Sequence, residues 1–221
     1  MRIILLAALP EEADAFLPGT GTSLDGWPAA RRIMVLGHEI IVAVTGIGKV
    51  NLTSVAATLH ARHNADLLAI TGTAGKISAR PGDCFYLARA IQHDYGSERP
   101  GTFVHFTPGL VPVGPSIVDA YVALPDPGTG LPTALIASGD AFVECPDHAR
   151  FLSEGLSADL VDMETGALAQ FAQLAGLPWV GVKATTDDAN QDSAGDFRAN
   201  LAAASARAAA GMEALIGRLA A

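Results

Sequence analysis

Short apolar runs alternate along the chain with longer, alanine-rich stretches in which apolar residues recur at helical spacing. Apolar runs bounded by turn residues are typical of buried strands, whereas helical spacing predicts helices. The runs that predict strands are Ile3–Leu9, Arg32–Leu36, Glu39–Val44, Leu67–Thr71, Asp83–Ile91, Thr133–Ser138 and Trp179–Thr185. The stretches that predict helices are Glu11–Phe16, Val50–His63, Glu164–Leu174 and Phe197–Leu219. This alternation predicts an α/β fold with helices on both faces of a sheet.

The segment Gly96–Gly130 breaks this alternation, because it is rich in proline and glycine and shows no long period. It is predicted to be mainly an extended loop, with a short helix near Ser116–Ala123. Loops of this length in compact domains are usually functional or cover a partner. Since the chain shows neither an internal repeat nor an interdomain linker, residues 1–221 are predicted to form a single domain.

The composition and the net charge of the chain exclude several classes of protein. Half of the residues are apolar and 17% are charged, against roughly 25% charged in an average soluble domain. This excludes a disordered chain and suggests that a second copy covers part of the surface. The net charge of −9 and the lack of any basic run argue against a nucleic-acid partner. No apolar run reaches the ~18 residues of a membrane span, so no membrane partner is expected.

The start of the chain and the cysteines bear on its location. The run Ile3–Leu9 has one basic residue before it and meets Pro10-Glu11-Glu12 at once, so it is interpreted as a first strand and not as a secretion signal. Cys84 and Cys145 lie far apart and show no metal-binding or redox spacing. We therefore expect reduced thiols in a cytoplasmic protein.

Acidic residues and glycine-rich segments follow the predicted strands. Ligands of open α/β sheets bind beyond the carboxyl ends of the strands, so these residues are expected to meet at one edge of the sheet. The acids are Glu11-Glu12, Asp140, Asp162 with Glu164, and Asp187-Asp188; the glycine-rich segments, read as turns, are Thr45–Lys49 and Thr71–Gly75. Each acid alone could serve a helix N-terminus. Their convergence favours a site lined by carboxylates and small residues.

Phosphate-binding and metal-binding motifs do not fit. Hydrophobic Val50 and Ile77 follow Lys49 and Lys76, so neither glycine-rich segment has a P-loop spacing. Each segment is equally compatible with close backbone approach to a ligand and with a plain tight turn. The six histidines show no metal-ligand spacing, and neither a metal nor a cofactor is expected. His93, at a strand end, is interpreted as a hydrogen-bonded structural histidine.

Motifs in several segments together carry a family resemblance. They are Ala8–Glu12, Thr45–Val50 (TGIGKV), Thr71–Gly75 (TGTAG), Ser138–Val143 (SGDAFV), Val161–Glu164 (VDME) and Lys183–Asp188 (KATTDD). With them the chain resembles the nucleoside phosphorylase/nucleosidase superfamily, most closely the 5′-methylthioadenosine/S-adenosylhomocysteine nucleosidases. The resemblance implies a three-layer α/β/α sandwich with a mixed central sheet. It also implies a homodimer in which the loop around Phe103–Pro108, within residues 97–115, reaches the neighbour's site.

The resemblance implies N-ribosyl hydrolysis that releases adenine from a purine nucleoside. Glu12 would hold and activate the attacking water, Asp187 would protonate the purine, and Glu164 would accept hydrogen bonds from the ribose hydroxyls. The residues implied to contact the substrate are Ile47, Thr73, Phe142, Val143, Asp162, Met163, Thr186 and Phe197. Carboxylates suit this chemistry, since breaking the glycosidic bond develops positive charge on the ribose.

Water is expected as the nucleophile in place of phosphate. A phosphate site typically uses arginine as a bidentate donor, and the loops after the first and third strands contain Glu11, Glu12 and Thr71–Ala74 but no arginine. Lys76 departs from the family, which usually has a small residue there. Two alternatives stay open: a related nucleosidase or phosphorylase for another 5′ group, of futalosine or hopanoid type, and a catalytically silent nucleoside-binding protein.

Overall fold

A mixed β-sheet forms the centre of the computed structural model, which describes residues 1–219. The strands are β1 (Arg2–Ala7), β2 (Thr22–Leu24), β3 (Ala30–Val35), β4 (His38–Val44), β5 (Leu67–Lys76), β6 (Cys84–Gln92), β7 (Gly96–Arg99), β8 (Thr102–His105), β9 (Tyr121–Val122), β10 (Thr133–Ser138), β11 (Leu160–Asp162) and β12 (Trp179–Asp187). The helices are α1 (Pro10–Ala15), α2 (Lys49–His63), α3 (Pro146–Leu156), α4 (Thr165–Ala175) and α5 (Ser193–Ile216). Strands β7 and β8 form a separate hairpin, and the others form the main sheet.

Two hydrophobic cores lie on opposite faces of the sheet. On β1, Ile4 and Leu6 belong to the core that includes α2 and α4, whereas Ile3 and Leu5 belong to the core that includes α1 and α5. Successive side chains of a strand point to opposite faces, so a strand buried on both faces needs an unbroken apolar run. The fold is thus a three-layer α/β/α sandwich with a mixed central sheet, as predicted.

Part of the sheet curls into a closed ring. β5 pairs with β12, β12 with β6, β6 with β10, β10 with β11, and β11 pairs back with β5. The β12–β6 and β11–β5 pairings are antiparallel, so the expectation of acids gathered at the carboxyl ends of one open sheet is wrong in its geometry. The acids after β11 and β12 meet because the ring brings the end of β11 beside β5, where Val161 pairs with Gly75.

The glycine-rich segment Thr71–Gly75 is part of strand β5 and not the predicted turn. Its glycines are explained by close approach of side chains. A Cβ on Gly72, whose φ is +132°, would lie 2.5 Å from Glu12 Oε1, and one on Gly75 would lie 3.1 Å from Asp187 Oδ1. A strand that packs two carboxylates against its backbone therefore needs glycine at these positions.

The region Gly96–Gly130 contains more regular structure than predicted, since it holds the β7–β8 hairpin and β9. The short helix predicted near Ser116–Ala123 is wrong. Backbone groups there bond to other segments and not to one another. The Ile117 carbonyl accepts from the Thr107 N–H, β9 pairs with β6, and the Ala123 N–H donates to the Ala88 carbonyl. Helix α3 was not predicted, because it buries only Ala149 and Leu152 and so lacks a long apolar stripe.

The other predicted strands and helices are confirmed, with ends shifted by a few residues. Within residues 1–219, no helix is both long and apolar enough to cross a bilayer. A single domain over residues 1–221 stays a prediction, and positions 220 and 221 of that range lie outside the described residues.

Candidate active site

One cavity of about 430 Å³ lies where the sheet ring meets the N-terminal ends of α1 and α5. Its size is that of a small-molecule site. Every residue that the sequence singled out for catalysis or substrate contact lines it: Glu12, Ile47, Thr73, Phe142, Val143, Asp162, Met163, Glu164, Thr186, Asp187 and Phe197. The roles assigned to these residues stay predictions, but their placement around one cavity is a feature of the fold.

Glu12 is fixed at the cavity by four hydrogen bonds. The Ala8 and Leu9 N–H groups both donate to its Oε2, at 3.0 Å each. The N–H and hydroxyl of Thr73 donate to its Oε1, at 2.7 and 2.8 Å. The side chain is 2% exposed, so a buried carboxylate is held in one orientation by the end of β1 and the interior of β5.

Lys183 lies fully buried among the site carboxylates, and sequence reasoning gave it no role. Its Nζ is 3.3 Å from Asp162 Oδ2. Burial alone would lower the pKa of Lys183, but the charges of Asp162, Glu12 and Glu164 outweigh that effect and raise it above its ordinary value. A signal was available: Lys183 interrupts the apolar run of β12, and lysine is almost never fully buried unless it is paired.

Asp162 lines the cavity, but its carboxylate is already occupied by protein donors. It accepts hydrogen bonds from the hydroxyls of Ser138 and Thr165, from the Glu164 and Thr165 N–H groups, and it pairs with Lys183. These contacts tie β10, β12 and the start of α4 together. The geometry therefore favours a supporting position for Asp162 over the direct substrate contact implied by the resemblance.

Glu164 precedes α4 and is 4% exposed. Its Oε1 accepts a hydrogen bond of 2.8 Å from the Gly48 N–H. Burial chiefly, and then the negative charge of Asp162, raise the pKa of Glu164 to about 7, while Lys183 and the Gly48 N–H act in the opposite direction. Glu164 therefore exchanges a proton near neutral pH.

Asp187 ends β12 directly after an irregularity in the pairing with β5. The break in register turns both Thr186 and Asp187 into the cavity. The Thr186 hydroxyl donates to Asp187 Oδ2 at 2.7 Å, and the Ala189 N–H donates to Oδ1 at 3.0 Å. Asp187, the fourth acid of the cavity, is thus positioned apart from the other three, which surround Lys183, and its hydrogen-bond donors are neutral.

An aromatic pair forms the apolar side of the cavity. The rings of Phe142 and Phe197 meet edge to face, with centroids 5.9 Å apart. Phe142 is 46% exposed and Ile47 is 49% exposed. Apolar surface of this size facing a cavity suits a flat or apolar ligand that covers it.

Two basic residues near the cavity differ in their access to it. Lys76 does not line it; its Nζ donates to the Gly82 carbonyl at 3.0 Å and lies 5.9 Å from the centre of the Phe85 ring. Arg198, which sequence reasoning missed, lines the rim from α5. The departure at Lys76 therefore brings no cation into the cavity.

The structural reading of His93 as hydrogen-bonded is wrong for one ring nitrogen. His93 Nε2 is buried and has no hydrogen-bond partner within residues 1–219. The ring packs against Gly139, where a Cβ would come within 2.5 Å of it, and against the His148 ring, whose centre is 5.5 Å away. Burial is the largest cause that lowers the pKa of His93 to about 4, so the ring is neutral at physiological pH.

Comparison with known proteins identifies the family. Residues 2–217 match the model of the family described as "Phosphorylase superfamily". The 5′-methylthioadenosine/S-adenosylhomocysteine nucleosidase of Mycobacterium bovis is 27% identical, over 92% of this chain and 93% of that protein. The protein of the same name from Geobacillus thermodenitrificans is 32% identical, over 71% of this chain and 70% of that protein.

A solved structure supports the same fold. The futalosine hydrolase mutant of Helicobacter pylori superposes with a TM-score of 0.85 and 22% identity, over 99% of this chain and all of that one. At that identity the likeness concerns the fold alone. Taken together with the matches in sequence, the chain belongs to the phosphorylase superfamily and, within it, to the family of the 5′-methylthioadenosine/S-adenosylhomocysteine nucleosidases.

Proposed function

We propose that the protein is an N-ribosyl hydrolase that cleaves the glycosidic bond of 5′-methylthioadenosine, S-adenosylhomocysteine or both, and releases adenine. One observation carries the proposal: a single cavity is lined by Glu12, Glu164 and Asp187 together with the Phe142–Phe197 pair. Three separated acids exceed what binding of a neutral nucleoside needs. A nucleoside-binding protein without catalytic activity would not need all three of these acids.

Each of the three acids would have a separate role in the reaction. As the bond from ribose C1′ to the purine breaks, positive charge develops on the sugar, and the nearby carboxylates stabilise it. Glu164 would accept hydrogen bonds from the ribose hydroxyls, and Asp187 would donate a proton to the leaving purine at N7. Glu12 would take a proton from the attacking water, beside the Thr73 hydroxyl. Acids in unlike environments can serve opposite proton transfers in this way.

The charge of the site supports water and opposes phosphate as the nucleophile. Three carboxylates cluster around Lys183, whose ammonium is already paired with Asp162. A phosphate dianion placed beside Glu12 would meet that negative charge with no arginine fork to bind it. Arg198 is exposed at the rim, on the side of α5.

One observation supports the alternative that the substrate carries a different 5′ substituent. Arg198 at the rim could pair with a 5′ substituent that carries a carboxylate, as S-adenosylhomocysteine and futalosine do, and as methylthioadenosine does not. Relative rates on these nucleosides decide between the substrates without altering the hydrolase mechanism.

The assembly and location belong to the same proposal. Val111 and Val113, in the loop 97–115, are 78% and 76% exposed, which suits a surface covered by a second copy. We expect a homodimer, so light scattering should give about twice the 22.7 kDa of one chain; a monomer at micromolar concentration would contradict it. A cytoplasmic location stays a prediction, supported by the free thiols of Cys84 and Cys145.

The proposed reaction is tested by adenine release from methylthioadenosine, measured in phosphate-free buffer and again with phosphate added. We expect release at the same rate in both, with free methylthioribose as the second product, because water is the nucleophile. Release only when phosphate is present would make the protein a phosphorylase. Absence of adenine release from both methylthioadenosine and S-adenosylhomocysteine would sink the proposal.

The proton donor is tested by Asp187→Asn, since an amide of the same shape keeps the contacts with Thr186 and Ala189 but holds no acidic proton. Adenine release should fall about 10²- to 10⁴-fold, with little change in the binding of an unreactive nucleoside. The matched control is Asp188→Asn, because Asp188 is the exposed neighbour and does not line the cavity. Equal activities of the two variants would remove Asp187 from the mechanism.

Glu12→Gln should also abolish release, and Glu11→Gln, at the exposed neighbour, should not. Here the amide has a structural cost, because all four groups that contact Glu12 are donors. In either orientation the amide NH₂ faces backbone N–H groups. The melting temperature of Glu12→Gln must therefore be measured beside its activity, and loss of activity in a folded variant is the informative result.

A further inference from the structure

A closed set of polar contacts joins two turns next to the cavity, those of Gly48-Lys49 and Gly139-Asp140. The Lys49 ammonium donates to Asp94 Oδ1 at 2.6 Å, and the Asp140 N–H donates to Asp94 Oδ2 at 2.8 Å. The Lys49 N–H then donates to Asp140 Oδ1 at 2.9 Å, which completes the circle. We call Lys49, Asp94 and Asp140 the clasp; none of the three lines the cavity.

Each end of the clasp lies next to a group that the cavity uses. Lys49 follows Gly48, whose N–H donates to Glu164 Oε1 at 2.8 Å. Asp140 lies two residues before Phe142, the exposed half of the aromatic pair. Gly48 also fits closely under the clasp, since a Cβ there would lie 3.2 Å from Asp140 Oδ1. Three side chains outside the cavity therefore connect the segment of Gly48 to the segment that leads to Phe142.

The clasp is organised more tightly than an ordinary surface ion pair. The side chains of Lys49 and Asp94 are 21% and 27% exposed. Burial alone would raise the pKa of Asp94, but the hydrogen bonds from Lys49 and Asp140 outweigh it and hold the pKa below its usual value. Exposed pairs of two flexible side chains contribute little, whereas here both Asp94 oxygens are used and one partner is backbone.

We propose that Asp94 is a positioning residue, which through Lys49 and Asp140 holds the Gly48 N–H against Glu164 and the turn of Phe142 over the purine. The proposal rests on the proposed function for its kinetic consequence. Asp94 touches no substrate; its effect passes through two backbone segments. A misplacement of about 1 Å at a reacting group can reduce a rate about a hundredfold. Loss of the clasp should therefore mainly lower kcat.

The test uses Asp94→Asn and Lys49→Met, which break the ion pair, and Lys49→Arg, which keeps the charge. We expect kcat for adenine release to fall about ten- to a hundredfold in the first two variants and to be largely restored with arginine. The acid limb of kcat/KM should also move to higher pH in the first two, because Glu164 loses a hydrogen bond that favours its ionised form. The melting temperature should change little.

The matched control is Glu39→Gln, which breaks a half-buried ion pair with Arg2 and Arg32, remote from the cavity. Its kcat and its pH profile should equal those of the wild type. If Asp94→Asn and Lys49→Met behave like Glu39→Gln, or if they lose activity only by unfolding, the proposal is wrong.

Amide hydrogen exchange separates this proposal from the proposed function. In Asp94→Asn, without substrate, the segments 46–50 and 139–143 should both exchange faster than in the wild type and in Glu39→Gln. Unchanged exchange in both segments overturns the clasp. A wild-type protein that releases no adenine overturns the proposed function, and faster exchange in the variant would still support the clasp as the link between the two turns.

Discussion

The buried charge of Lys183 is the interaction on which the candidate site depends. Three carboxylates, those of Glu12, Asp162 and Glu164, lie close enough to raise its pKa. Buried charges are tolerated only when they are paired and hydrogen-bonded. One cation faces three acids in this cluster. Burial chiefly, and then the negative charge of Asp162, raise the pKa of Glu164 to about 7. The fold thus keeps a negative field where a glycosidic bond would develop positive charge.

The curled sheet is what allows this cluster to form. Glu12 follows β1, Lys183 lies within β12 and Glu164 follows β11, and in an open sheet the antiparallel β11 would direct its acid to the other edge. The β11–β5 pairing closes the ring and places the end of β11 beside the carboxyl-terminal end of β5. Gly72 then allows Glu12 to lie directly against that strand. The sheet ring, the glycine of β5 and the charged side chains therefore all meet at the candidate site.

Much of the fold and of the site could be predicted from local sequence. The unbroken apolar run of β1 indicates a strand buried on both faces, and the motifs around Glu12, Glu164 and Asp187 name residues that line one cavity. These features depend on short-range patterns, or on a resemblance that covers most of the chain. The predictions based on them are therefore correct even though the predicted open-sheet geometry was wrong.

What could not be predicted depends on contacts between distant segments. Thr71–Gly75 was predicted to be a turn because the two side chains that require its glycines, Glu12 and Asp187, are distant from it in sequence. Three other features also depend on how distant segments pack and leave no pattern in the local sequence. They are the fully hydrogen-bonded carboxylate of Asp162, the unpartnered ring nitrogen of His93 and the clasp around Asp94. A lysine inside an apolar strand was the one sequence signal left unused.

The most direct test of this account is the pH dependence of kcat/KM for adenine release, measured from about pH 5 to about pH 9 in the wild type. If the negative cluster around Lys183 stabilises the positive ribose, the ionised form of Glu164 is the active one. The rate should then fall about tenfold per pH unit below about pH 6.5, as Glu164 takes up its proton. A rate that stays constant down to pH about 5 would contradict the account, because Glu164 would then act in the same way with and without its proton.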